Sequence, residues 1–113
     1  PDEFLQALSD TQRAMRTGEL LDRESRHPIR KAIGGWREID DRRAREGMRR
    51  VDKVLRHIRT DVELGLKDGR IERINGFLDF RDTRFASDLE KRRVECVELL
   101  DEVLTSMGID PVR

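Results

Sequence analysis

Cysteine is all but missing from this chain: Cys96 stands alone, so no internal disulfide can form and no cysteine cluster is available for zinc. A reducing, cytoplasmic setting is the default expectation. There is no tyrosine and no apolar run of the roughly 18 residues that would mark a membrane span, nor a signal-peptide pattern at the start. Net charge is lacking as well, with 24 basic against 24 acidic residues, so no global field draws the chain toward nucleic acid or an anionic membrane. Apolar residues are scarce at 35% while charged ones reach 42%. That balance fits either long helices sharing a seam or a partly disordered chain.

Periodicity decides between the two. Ala44, Met48, Val51, Leu55, Ile58 and Val62 recur at steps of 4, 3, 4, 3 and 4 with charged residues between them, which is one narrow apolar seam along a helix. Such a seam needs a partner helix. A second helix is predicted from about Asp2 to Thr17, with Phe4, Leu5, Leu8, Thr11 and Met15 on one face and Gly18 ending it. Pro28, preceded by His27, starts a new segment with Ile29, Ile33 and Trp36 on one face, interrupted at Gly34-Gly35. A long helix is expected from about Trp36 to Leu66, a turn at Lys67-Asp68-Gly69, and then a helical region from Ile71 that hesitates at Asn75-Gly76 and resumes from Phe80 to Met107. Gly108, Ile109 and Pro111 mark its end. No β-strand signal is read.

The expected fold is therefore all-α, a helical hairpin or small antiparallel bundle with an N-terminal helix. It forms one domain over 1–113: an N-terminal helix or arm at 1–27, a long basic helix at 28–66 with a break near 34–35, and a C-terminal helix pair at 70–108. Beginning at Pro1, the chain reads as a piece of a longer protein. Met48, Val51, Leu55, Ile58 and Val62 are the candidate interface, closing on the Leu89 to Met107 helix, with further apolar surface on the N-terminal helix left for a partner.

Charge is unevenly spread. Arg37 to Arg59 carries nine basic and five acidic residues, and Asp88 to Arg113 seven acidic and four basic. Complementary pairing between these helices, within one chain or between two, is the simplest use. Arg42, Arg45, Arg49 and Arg56 form a basic face able to track phosphates, although Glu38, Asp40, Asp41, Glu46 and Asp52 dilute it and no aromatic residues are interleaved for base stacking. Asp79, Asp82, Asp88 and Glu90 read as caps and as partners for Arg81 and Arg84, and Ser87-x-x-Glu90 has capping-box spacing. Trp36 is expected in packing and Cys96 as a small apolar residue. No cofactor, metal or small-molecule signature is present.

Two family likenesses are carried by short stretches. Arg50 and His57 lie two turns apart, and this spacing resembles the Arg-x4-6-His motif of HEPN-type ribonucleases, which implies an arginine holding a phosphate and a histidine moving protons. The run Val97-Glu98-Leu99-Leu100-Asp101-Glu102-Val103-Leu104 through Gly108-Ile109-Asp110-Pro111-Val112 resembles the end of the helical region of GrpE, the nucleotide exchange factor of DnaK-type chaperones. Val51 to Leu55 and Asp61 to Leu66 are similar to that family's first bundle helix. This likeness implies a homodimer of paired helices without catalytic chemistry, while Pro28 and Gly34-Gly35 depart from the family's unbroken N-terminal helix. The expected function is a non-enzymatic oligomerisation or protein-interaction module, with a helical nuclease or nucleic-acid-binding module as the alternative.

Overall fold

Residues 2–17, 36 and 39–111 are described by the computed structural model. Helix α1 spans Asp2–Thr17, α2 Arg42–Asp68 and α3 Thr83–Ser106; strands β1 (Ile71–Ile74) and β2 (Phe77–Phe80) lie between α2 and α3. The chain is mostly helical, as its periodicity predicts, but not all-helical. Helix α1 has the bounds read from the sequence. The expected stop at Gly18, the segment start at His27-Pro28, the face of Ile29 and Ile33 and the break at Gly34-Gly35 lie outside the described residues.

Helix α2 begins later than expected. The Trp36 carbonyl accepts from the Ile39 N–H at 3.2 Å. Asp41 then caps the helix, its backbone extended and its carboxylate accepting from the Ala44 N–H at 3.0 Å. This satisfies one of the donors that a helix start leaves open. At the other end Lys67 and Asp68 stay helical, and Gly69 reverses the chain at φ 86°, where a side chain would be strained.

The expectation that Ile71 opens a helix is overturned. Ile71 pairs with Phe80, Glu72 with Asp79, Arg73 with Leu78 and Ile74 with Phe77 in an antiparallel hairpin. Asn75 and Gly76 form its turn with φ 52° and 81°, the doubly left-handed geometry that a two-residue hairpin favours and that Asn-Gly supplies at least cost. On the inner face Ile71 and Leu78 are buried and Phe80 half-buried, and the Phe80 and Phe85 ring centroids lie 6.5 Å apart. On the outer face Glu72 opposes Asp79, a like-charged pair that costs stability when left alone. Arg81 reaches both, at 2.8 and 2.9 Å.

Helix α3 therefore starts at Thr83, with Asp82 as its cap accepting from the Phe85 N–H at 2.8 Å. Ser87 lies inside the helix and caps nothing. At the far end Ile109 N–H donates to the Leu104 carbonyl at 2.9 Å and Gly108 N–H to Thr105 at 3.0 Å, with Gly108 at φ 77°. The chain folds back there as predicted.

The core is built on α2 against α3. Met48, Val51, Leu55, Ile58 and Val62 are all buried, as are Leu89, Cys96, Val97, Leu100, Val103 and Leu104. Each such side chain contributes about 1.5 to 3 kcal/mol before ordering entropy is charged against it. Two glycines set how closely the elements approach. A Cβ at Gly47 would stand 2.6 Å from Val103 Cγ2, and one at Gly65 would stand 2.8 to 2.9 Å from Ile71 and Phe85 atoms.

Helix α1 is packed, and its apolar face is not left for a partner. Leu8 and Met15 are buried in the same core, and the helix lies along α3. Two fully buried polar residues sit with them: Thr11 donates to the Ala7 carbonyl at 2.7 Å, and Gln12 Nε2 to Asp101 at 3.0 Å. Arg16 pairs with Asp101 at 3.2 Å. Arg93 of α3 donates to the Met15 and Arg16 carbonyls, closing acceptors that the end of α1 would leave open. Among the described residues, the large apolar ones that remain exposed are Leu64, Ile74, Phe77 and Val94, on α2, the hairpin tip and α3.

Candidate functional site: the cationic flank of α2

Helical geometry puts Arg42, Arg45, Arg49, Lys53 and Arg56 on the flank of α2 opposite its buried seam, because steps of three and four residues return to one side. The four arginines picked out as a basic face are thus brought together. Lys53, which the sequence reading passed over, joins them at the same periodicity. With Trp36, Glu46, Asp52 and His57 these residues line one open groove of about 900 Å³.

Charge within the groove is only partly neutralised. Arg49 pairs with Glu46 at 3.2 Å and Arg56 with Asp52 at 2.9 Å. Arg42, Arg45 and Lys53 have no ion pair among the described residues. Counting His57 as neutral, the lining carries five cations and two carboxylates. A surface of this kind attracts an anionic partner, and its two fixed carboxylates favour a partner whose charges are patterned over one that is uniformly negative. Trp36 is largely buried in the groove wall, so it offers little ring face for base stacking.

Arg50 and His57 do not share a site. They are separated by seven residues, or about 10 Å of helix rise. Arg50 lines a second groove, of about 710 Å³, with Arg43, Gly47, Asp101, Glu102 and Ser106. His57 instead meets α3. Its Nδ1 lies 3.2 Å from an Arg92 guanidinium nitrogen, and since arginine only donates, Nδ1 is the acceptor. Arg92 also holds Asp61 at 3.1 Å. The arrangement ties α2 to α3.

Met48, Val51, Leu55, Ile58 and Val62 face α3 of the same chain, so the seam finds its partner internally. Asp79 and Asp82 serve as ion-pair partner and helix cap, as the sequence suggests. Arg93 holds Glu90, and that hydrogen bond keeps the Glu90 carboxyl below its ordinary pKa. The Asp68 carboxyl is lowered in the same way by Arg70. Burial pushes the Cys96 thiol up to about 12, so at neutral pH it is a protonated core group and no nucleophile. Among the described residues no group of His, Cys, Asp and Glu is placed to hold a metal ion, and no helix is long and apolar enough to cross a membrane.

Compared with models of protein families, with curated proteins and with solved structures, the chain matches none.

Proposed function

We propose that the chain is a non-enzymatic helical interaction module that receives an acidic segment of a partner protein along the cationic flank of α2. The carrying observation is that Arg42, Arg45 and Lys53 line a groove without carboxylate partners of their own among the described residues, while the apolar seam of the same helix is consumed inside the chain. A helix used in this way has one flank for folding and one for recognition. Protein is favoured over nucleic acid because Glu46 and Asp52 sit within the groove, the chain has no net charge, and α3 turns an acidic face to solvent.

Trp36 lines the groove and is the sole tryptophan, in a chain without tyrosine, so its fluorescence reports occupancy directly. Titration with a poly-glutamate peptide at about 50 mM salt should change Trp36 emission, and the change should vanish near 0.5 M salt. Arg42→Glu combined with Arg45→Glu should abolish the response and leave the helical circular dichroism unaltered. No response from the folded wild type would overturn the proposal. Single-stranded RNA bound more tightly than poly-glutamate would assign the groove to nucleic acid, and RNA cleaved by wild type but not by His57→Ala would assign the chain to the nucleases.

A further inference from the structure

We infer that the acidic segment received by the groove is supplied by a second copy of this chain, through the stripe Glu95, Glu98 and Glu102 on α3; the inference rests on the reading of the groove given above. The three glutamates follow one another at steps of three and four residues and are all exposed. They alternate with the buried Cys96, Val97, Leu99, Leu100 and Val103, so they occupy the flank of α3 turned away from the core. None has an ion pair among the described residues.

The two stripes match in spacing. Arg42, Arg45 and Arg49 are separated by three and four residues, as are Glu95, Glu98 and Glu102, so helices laid parallel bring three opposite pairs into register. Laid antiparallel, Arg49, Lys53 and Arg56 meet Glu102, Glu98 and Glu95 with the same success. In both registers Glu98 is the central acid, and Arg45 or Lys53 is its counterpart. Lys91, one turn before Glu95, is the cation on the same flank of α3, and Arg43 and Arg50 of α2 line the groove that Glu102 borders. Lys91 falls beyond the last matched pair in either register.

Position on the fold then decides the kind of assembly. The basic stripe lies on the flank of α2 opposite its seam, whereas the acidic stripe borders the second groove, where Glu102 stands with Arg43 and Arg50; among the described residues no ion pair joins the two stripes within one chain. The contact is head-to-tail, each copy offering its groove to one neighbour and its stripe to another. The balanced net charge removes the long-range repulsion that would oppose such stacking. Built from exposed pairs, the association is weak and screened by salt.

The test uses the intact chain, a groove variant (Arg45→Glu with Lys53→Glu) and a stripe variant (Glu98→Arg), with circular dichroism confirming that all three are folded. Light scattering at about 50 mM salt should show wild-type mass rising with concentration above the 13.3 kDa of one chain, and returning to it near 0.5 M salt. Each variant alone should stay at the mass of one chain where wild type associates. Their equimolar mixture should associate again, because each junction between unlike variants is either wild type or has its central pair exchanged, with opposite charges facing in both. Wild type that stays monomeric at low salt while still binding poly-glutamate would overturn the second copy as occupant and leave the groove reading standing; a chain that does neither would overturn both. Association unchanged in the variants, or a mixture that fails to associate, would also overturn the inference.

Discussion

The two flanks of α2 share the same 27 residues and are built to opposite ends. One holds Met48, Val51, Leu55, Ile58 and Val62, all buried against α3. The other holds Arg42, Arg45, Arg49, Lys53 and Arg56, which line an open groove. Burial of the first set contributes several kcal/mol, whereas the exposed ion pairs of the second contribute a few tenths each. The comparison teaches that a helix so rich in charge is folded by a minority of its residues. The remainder is free to be chosen for recognition.

The sharpest way to break this contrast is to put charge into the seam. Leu55→Asp should cost about 4 kcal/mol or more, by losing an apolar side chain and burying a carboxylate, and should abolish cooperative thermal unfolding. A folded variant with an unchanged melting temperature would remove Leu55 from the core. Next comes Gly65→Val, which places atoms where Ile71 and Phe85 already stand and should cost about 1 to 3 kcal/mol in urea unfolding. Asp82→Ala removes the cap of α3 and should cost about 1 kcal/mol.

Cys96 probes the same core by chemistry. With its pKa raised to about 12 by burial, the folded state holds its proton more tightly than the unfolded chain does. Its contribution to stability is therefore complete below the ordinary thiol value near 9 and is lost as pH climbs from there toward 12. At pH 8 a thiol reagent should react with Cys96 only after unfolding; prompt reaction of the native protein would contradict its burial. The smallest effect is expected on the far flank, where Arg42→Glu and Arg45→Glu should change stability by no more than about 0.5 kcal/mol. A larger loss would mean that the groove takes part in folding after all.

Much of this architecture was legible in the residues. The steps of the α2 seam and the face of α1 are helical signatures that survive in any context, and the Gly108-Ile109 return was readable because a left-handed residue at a helix end has few alternatives. The hairpin was not. Ile71, Ile74, Phe77 and Leu78 mimic helical spacing, and only two inner-face residues of the four-residue strands are fully buried, so no alternation stands out. The one available signal was Asn75-Gly76 between two apolar-flanked segments. Asp82 was readable as a cap or an arginine partner, but the start that it caps was not, since the helical region was expected to resume at Phe80. The arginines of the groove were legible as a face, because periodicity alone gives that. Their assembly with Trp36 into a concavity depends on how the chain enters α2, and local periodicity carries no information about that.

Solution mass by light scattering, over a wide concentration range at about 0.5 M salt, tests the division of labour in α2 most directly. A seam closed within the chain predicts 13.3 kDa at every concentration, because screening removes the contacts of the charged flank and no apolar seam is left open. A dimer that survives that salt and is lost in Leu55→Asp would show that the seam is closed between chains, and would contradict the account.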